Sequence, residues 1–239
     1  MVPGGMISPD APPEQRPATA VLRSLMTSRC STRGFTAEPV ARDRIETLLD
    51  LARLAPSWCN TQPWHVVVTE GAGTERFRSA LAEHAADHEP RPDFAFPAKN
   101  SVISAERRRQ CARQLYAAVG VEWGDRDSSA REAARNFEFF GALHVAVVSS
   151  PAELGIYGAV DCGLYVQSFL LAAEGLGLDA VPQAALAVHS EFVRKHLGIP
   201  ADHRVVCGIS FGHRDEAHPA NTFRTPRTST EDYVLWRTR

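Results

Sequence analysis

The stretch RLAPSWCNTQPWHVVV, residues 53–68, is more polar and more rigid than an ordinary connection between secondary-structure elements. Before it, apolar residues recur at the spacing of one helix face, at Ile45, Leu48, Leu49 and Ala52. After it, a run of β-branched residues predicts a strand. Pro56 ends the helix, because the residue before a proline avoids the helical region. We call residues 56–63 the hook.

The hook carries an unusual set of polar side chains. Ser57, Asn60 and Gln62 can each donate and accept hydrogen bonds, as binding a flat heterocycle with carbonyls and ring nitrogens requires. The alternative is that these groups satisfy the backbone of the turn itself, as Ser and Asn often do. Taken alone, the hook leaves ligand binding and turn formation both open.

Composition predicts a globular protein of one large domain or two small ones, with 239 residues, 44% hydrophobic and 23% charged. The formal net charge of −2 gives no reason to expect nucleic acid or an anionic membrane as a partner. Five scattered cysteines without zinc spacing predict reduced thiols, no metal site and a cytoplasmic location. Residues 1–17, rich in Pro and Gly, predict a flexible arm and not a signal peptide.

The order of predicted elements favours an α+β fold with one central sheet over a doubly wound fold. Strands are predicted near residues 65–69, 143–149, 178–186 and 205–212. Helices are predicted near 18–28, 41–55, 73–86, 105–119, 130–139, 157–174 and 190–197, without regular alternation with the strands.

The helix predicted at 157–174 is apolar nearly all round, so we expect it to be buried in the core. Asp161, Gln167 and Glu174 interrupt it and argue against a membrane span. Its small residues, among them Gly158 and Gly163, would let another helix approach closely.

A cluster of basic and hydroxyl side chains lies in SRCSTRGF, residues 28–35, just after the first predicted helix. Two guanidiniums and two hydroxyls within five residues can surround a phosphate: Arg29, Ser31, Thr32 and Arg33. The alternative is a solvated helix end, where Arg complements the helix dipole. Since 24 of the 26 basic residues are Arg, spacing alone does not decide between the two.

Two later segments are also candidates for ligand contacts. In AVPQAAL, residues 180–186, the small residues Ala184 and Ala185 would let backbone N–H groups reach a ligand; the alternative is an edge strand. In NTFRTPR, residues 221–227, Arg224 and Arg227 could join a phosphate site; the alternative is a surface tail. No set of catalytic acid, base and nucleophile is evident, so a cofactor would carry any redox chemistry.

Taken in order, four segments resemble the flavin-dependent nitroreductase family, and most closely its nitrobenzoate-reductase-like subgroup. They are SRCSTRGF, APSWCNTQPWHVVV, LGLDAVPQAAL and CGISFGHRDEAHPANTFRTPR. The resemblance runs from about residue 22 to the C-terminus. It implies an α+β sandwich with a central, mainly antiparallel sheet flanked by helices, in an intertwined homodimer. It also implies one FMN-binding domain over residues 18–239, with a lid near 88–140 and a tail, 213–239, packed on the partner subunit.

The resemblance further implies which residues bind FMN. Its phosphate and ribityl chain would contact Arg29, Cys30, Ser31, Arg33, Arg224 and Arg227. Its ring would contact the hook of the other subunit, through Pro56, Ser57, Trp58, Asn60 and Gln62. A turn would approach the flavin nitrogen N5, which carries the chemistry in place of a catalytic side chain: Pro182, Gln183, Ala184 and Ala185.

The implied activity is a ping-pong reduction of small aromatic acceptors, either nitroaromatics or quinones, driven by NAD(P)H. The substrate pocket would include Trp58, Cys59, Phe139 and Phe140. Family members often have small or polar residues where Trp58 and Cys59 stand, which bears on the acceptor more than on the cofactor. The alternatives are a specialised flavin enzyme of the same fold, such as a dehalogenase or natural-product dehydrogenase, and a non-catalytic flavin-binding protein.

Overall fold

The computed structural model describes residues 17–238, so nearly all of the expected N-terminal arm lies outside the described residues. Four strands form the sheet: β1 (His65–Glu70), β2 (His144–Pro151), β3 (Asp179–Gln183) and β4 (His203–Gly212). Seven α-helices are found in the described part: α1 (Ala18–Ser28), α2 (Arg42–Ala52), α3 (Ala72–Asp87), α4 (Val102–Ala118), α5 (Arg126–Ala134), α6 (Gly155–Gly175) and α7 (Ser190–Leu197).

The four strands form one antiparallel sheet in the order β1-β2-β4-β3, which confirms the predicted α+β class. In its register, Val67 lies opposite Val147, and Val147 lies opposite Gly208. β3 is an edge strand, and its Pro182 lies opposite Ile209 of β4. An edge strand tolerates proline, because one side of it needs no ladder hydrogen bond.

Helices cover both faces of the sheet, because alternate residues of each strand point to opposite sides. In β2, Ala146 and Val148 pack into a core with residues of α2 and α6. Val145 and Val147 pack on the other side, with residues of α3 and α7. The result is the expected sandwich of helices around a central sheet.

The predicted bounds of most helices agree with the structure, but the helix expected at 130–139 is displaced. α5 begins at Arg126, because the Asp125 carboxylate accepts a hydrogen bond from the Ser128 N–H at 3.0 Å. It ends at Ala134, and Phe139 and Phe140 follow with φ of 57° and 54°. A right-handed helix cannot continue through that left-handed backbone.

The prediction that the helix at 157–174 is buried all round is wrong for the single chain. One side of α6 packs on the sheet through buried residues such as Cys162 and Phe169. The opposite side exposes four large apolar side chains, Ile156, Tyr157, Val160 and Leu164. We call these four residues the α6 face.

Gly158 allows α6 to pack closely against strand β2, and not against another helix as predicted. A Cβ at this position would lie 2.2 Å from the Ser150 hydroxyl of β2.

The segment Ala152–Gly175 has the length and mean hydropathy, 1.3, of a membrane span, and 44% of its apolar window is buried against the rest of the chain. Contacts with β2, β3 and α2 account for that burial.

Candidate functional site

A cavity of about 340 Å³ brings together the two basic segments that the sequence separates by nearly 190 residues. The first segment contributes Arg29, Cys30, Ser31 and Arg33, and the second contributes Phe223, Arg224, Thr225 and Arg227. Cys111 of α4, in the expected lid, completes one wall. All six residues predicted to bind the phosphate end of a cofactor therefore line one cavity.

The buried side chain of Asn221 holds these two segments together. Its carbonyl oxygen accepts a hydrogen bond from the Arg33 backbone N–H at 2.7 Å. Its amide nitrogen donates to the carbonyl oxygens of Gly34 and Asp215, each at 2.9 Å. The Arg224 guanidinium donates to the backbone carbonyl oxygen of Asn221 at 2.9 Å, so the tail turns back on the cavity.

The guanidiniums around this cavity lack carboxylate partners. In the described part of the chain, no ion pair involves any of the following side chains: Arg29, Arg33, Arg224 and Arg227. Burial lowers the pKa of the Arg33 guanidinium, and the nearby Cys111, Glu132 and Cys30 oppose that shift. A half-buried, unpaired guanidinium is well suited to bind an anion.

Neighbouring arginines are paired within the chain. The Arg135 guanidinium lies 3.6 Å from the Glu132 carboxylate, and the Arg214 guanidinium lies 3.4 Å from that of Asp179. The four guanidiniums around the cavity thus differ from these two neighbours in having no ion-pair partner among the described residues.

The first basic segment runs beside the edge strand β3. Ser31 forms a parallel bridge with Ala180, and the Thr32 hydroxyl donates to the Asp179 carboxylate at 3.1 Å. From Ala180 the strand leads over four residues to Ala184. At about 3.3 Å per residue, the turn lies roughly 13 Å from the Ser31 bridge.

The turn after β3 presents backbone and small side chains. Ala184 is exposed and Ala185 is half-buried. Gln183 is different, because its side chain is buried and fully engaged. Its amide nitrogen donates to the Asn136 carbonyl at 2.9 Å, and its oxygen accepts from the Ser210 hydroxyl. The Gln183 side chain therefore has a structural role, and the ligand contact predicted for this residue is left to its backbone.

The hook is a tight turn with three non-glycine residues in the left-handed region, at φ of 46°, 59° and 47° for Cys59, Asn60 and Gln62. The Ser57 hydroxyl accepts from the Gln62 backbone N–H at 2.9 Å, and the Gln62 amide donates to the Asn60 carbonyl at 3.3 Å. Ser57 and Gln62 thus close the turn. The Asn60 side chain is exposed and makes no hydrogen bond to the described residues.

The hook is fastened to α6 and takes no part in lining the arginine cavity of its own chain. The buried Asp161 carboxylate accepts from the Trp58 backbone N–H at 3.0 Å. The Trp58 ring stacks on Tyr157, with centroids 5.7 Å apart. Trp58 and Cys59 are exposed, and so is Pro56.

The expected role of Phe139 and Phe140 as walls of a substrate pocket is corrected by their burial, because their exposed fractions are 0% and 4%. Phe139 packs on Phe77 at 5.1 Å, beneath the Arg78 guanidinium. The Phe140 carbonyl accepts from the Phe35 N–H at 3.3 Å. Both residues contribute to the core.

Two residues at the cavity, Asn221 and Cys111, were not predicted from the sequence. Asn221 stands inside the segment HPANTFRTPR, where an Asn between Ala and Thr reads as an ordinary turn residue. Cys111 lies on α4, whose polar sequence gave no sign that one side of it faces the cavity.

Both the sequence and the architecture are similar to those of known proteins. The sequence profile described as the Nitroreductase family matches residues 26–213. The chain belongs to the nitroreductase family. Nitroreductase NfnB of Mycolicibacterium smegmatis is 33% identical over 211 residues, covering 87% of this chain and 89% of its own. A 4-nitrobenzoate reductase of Pseudomonas putida is 30% identical over 211 residues, covering 88% of this chain and 93% of its own.

A solved structure agrees with this membership of the nitroreductase family. The crystal structure of the FMN-dependent nitroreductase NfnB from Mycobacterium smegmatis, in complex with NADPH, superimposes with a TM-score of 0.88. It is 31% identical in sequence, and the match covers 92% of this chain and 99% of that one. The family membership predicted from the four sequence segments is confirmed.

The Asn221 clamp of this nitroreductase can be tested by mutation. Asn221→Asp keeps an acceptor for the Arg33 N–H but places a carboxylate against two carbonyl oxygens. We expect the free energy of unfolding to fall by about 1–3 kcal/mol, since buried acceptors lose their donor. Urea denaturation measures this change. Asn100→Asp, at an exposed position, is the control, and an equal effect of the two substitutions would contradict the clamp.

Proposed function

We propose that this protein is an FMN-dependent oxidoreductase that uses NAD(P)H to reduce nitroaromatic or quinone-type acceptors. The observation that carries the proposal is the cavity with four unpaired guanidiniums at one end of β3. The relatives support it, because NfnB is described as FMN-dependent and was solved with NADPH, and the Pseudomonas putida relative is described as a 4-nitrobenzoate reductase.

The residues present fit a mononucleotide phosphate. The arginines offer forked donors, and the Ser31 hydroxyl can fill a remaining lone pair. The roughly 13 Å from the Ser31 bridge to Ala184 is comparable to the length of FMN, so the ring would reach the turn. When bound, FMN supplies a ring nitrogen that takes hydride from a nicotinamide and passes electrons to an acceptor.

The chain's own groups would bind and orient the cofactor. Arg29, Arg33, Arg224 and Arg227 would hold the phosphate, while the backbone at Ala184 and Ala185 would lie beside the ring. N–H donors near the ring would stabilise the negative charge that it gains on reduction. No side-chain acid or base is needed for hydride transfer, so the protein's part is geometry and electrostatics.

The hook would reach the cofactor of a second copy. It lies apart from the cavity of its own chain, and it is fastened to α6 beside the exposed α6 face. Four exposed apolar side chains on one helix are typical of an interface. The tail also exposes Tyr233, Leu235 and Trp236, which would pack on the same partner. A homodimer would thereby complete each site with the other subunit's Asn60.

Residues of the hook would determine which acceptors can bind. Trp58 is 55% exposed, and its stack on Tyr157 forms a flat aromatic surface. In the homodimer, this surface would lie beside the open face of the flavin ring and limit the size of the acceptor.

The proposal includes a cytoplasmic location, which is supported by five free cysteines.

Cofactor binding and turnover test the proposal. We expect the protein to bind FMN, and NADPH or NADH to bleach the flavin absorption band in the absence of oxygen. Arg33→Gln should raise the Kd for FMN about 10- to 100-fold, because a charge-assisted bond to phosphate is lost. Calorimetric titration measures the Kd. Arg23→Gln, on the exposed side of α1, is the matched control.

Two results would count against the proposed activity. Absence of FMN binding would remove the cofactor from the proposal. Binding of FMN without reduction by either nicotinamide would instead favour a non-catalytic flavin-binding protein.

The role of the α6 face is tested by Val160→Glu. A carboxylate in an apolar contact carries a large desolvation cost, so we expect the variant to be monomeric and to lose FMN affinity. Light scattering gives the mass, and fluorescence titration gives the affinity. Val102→Glu, at an 87% exposed position on α4, should remain dimeric. A dimeric Val160→Glu variant would place the interface elsewhere.

The effect of Trp58 on the acceptor can be measured separately. Trp58→Ser should raise the ratio of kcat/KM for a two-ring quinone over that for a single-ring nitroarene by about tenfold, since space opens beside the ring. Trp123→Ser, at another exposed Trp, is the control. An unchanged ratio would mean that Trp58 does not limit the acceptor.

A further inference from the structure

Two of the five cysteines lie in the wall of the arginine cavity, where the proposed reaction makes no use of a thiol. Cys30 is half-buried, and its sulfur accepts a hydrogen bond from the Arg214 guanidinium at 3.4 Å. Cys111 enters from α4 and also lines an adjoining cavity of about 440 Å³, together with Arg107 and Arg227. Both sulfurs are close enough to Arg33 to oppose the lowering of its pKa.

The other three cysteines differ in their surroundings. Burial raises the pKa of Cys162 to about 12 and that of Cys207 to about 12, so both are held as unreactive thiols. Cys59 is exposed in the hook, and in the described part of the chain no guanidinium donates to its sulfur. Cys59 is thus exposed and has no guanidinium donor among the described residues, whereas Cys30 is partly exposed and accepts a hydrogen bond from a guanidinium.

We propose that the arginine cavity is also a thiol-modification site, in which Cys30 reacts preferentially with anionic disulfides. The unpaired guanidiniums would concentrate a negatively charged disulfide in the cavity, as a charged cleft concentrates its ligand. The reaction is an exchange. The Cys30 sulfur gives its proton to solvent and bonds to one sulfur of the reagent, the S–S bond breaks, and the other sulfur leaves as a thiolate with the electron pair.

The adduct would occupy the space in which an anion binds. A cavity of about 340 Å³ cannot hold both a bulky anionic adduct on Cys30 and a cofactor phosphate among the same arginines. Modification would therefore block anion binding, and a reducing thiol would restore it by the reverse exchange.

The experiment compares two disulfides of opposite charge on the purified protein. Glutathione disulfide is anionic and cystamine is cationic, and peptide mass spectrometry reads the initial rate of modification at each cysteine. We expect the ratio of the anionic to the cationic rate to be at least about tenfold higher at Cys30 than at Cys59. Arg224→Gln, which removes one of the unpaired guanidiniums, and high salt should each lower that ratio at Cys30 and leave it nearly unchanged at Cys59.

Protection shows whether the two anions share the site. Excess inorganic phosphate should slow modification of Cys30 more than that of Cys59. FMN should also slow modification of Cys30, and in the proposed homodimer it would shield the hook that carries Cys59 as well. Equal charge ratios at the two cysteines would overturn the proposal, and so would modification of Cys30 that phosphate does not slow.

The test of the thiol site is separable from the test of the proposed activity. Only the FMN protection experiment rests on the proposed function. If FMN does not bind, the charge ratio and phosphate protection still test the thiol site. Conversely, normal flavin reduction with no charge preference at Cys30 would leave the proposed activity standing and remove the thiol site.

Discussion

The site depends on the three hydrogen bonds of one buried amide, the Asn221 side chain. Asn221 lies 188 residues from Arg33, and it satisfies the Arg33 N–H and two carbonyl groups that would otherwise be buried without partners. Because the side chain must accept one hydrogen bond and donate two, neither a carboxylate nor a methyl group can replace the amide. These hydrogen bonds bring two arginine segments to one cavity, where no described carboxylate forms an ion pair with their guanidiniums. The fold thus holds positive charge in place around the cavity, as the proposed binding of a phosphate requires.

A second constraint links the hook to helix α6. The buried Asp161 carboxylate needs donors, and the Trp58 N–H is one of them. Since α6 also carries the α6 face, a second copy packed there would meet the hook in the same surface. In the proposed homodimer, burial of the apolar face and presentation of the hook side chains to the partner would therefore be outcomes of one arrangement. Such a partner would explain why a helix that is apolar nearly all round leaves one side uncovered in a single chain.

Local patterns predicted the elements well, because helix caps, prolines and strand alternation act over a few residues. α1 and α7 have the predicted bounds, and α7 ends before Gly198, which has a φ of 66°. Long-range features were not predictable in this way. Nothing near Gln183 indicates that Asn136 and Ser210 will engage its side chain, and nothing near Phe139 indicates that its backbone turns left-handed into the core. The family resemblance supplied the pairing of the two arginine segments, which spacing among so many arginines left open.

The hook's residues are best understood through their backbone. A left-handed conformation costs most non-glycine residues roughly 1–2 kcal/mol, and the hook contains two such residues, Cys59 and Gln62, beside Asn60, which tolerates this conformation better. Glycine would relieve that strain, so retaining side chains there requires that they be used. Gln62 closes the turn with Ser57, which accounts for one of them. Asn60 and Cys59 have no such role and point outward. Of the two interpretations of the hook, turn formation accounts for Ser57 and Gln62. The proposed ligand binding would account for Asn60, and Trp58 and Cys59 lie next to it in the hook.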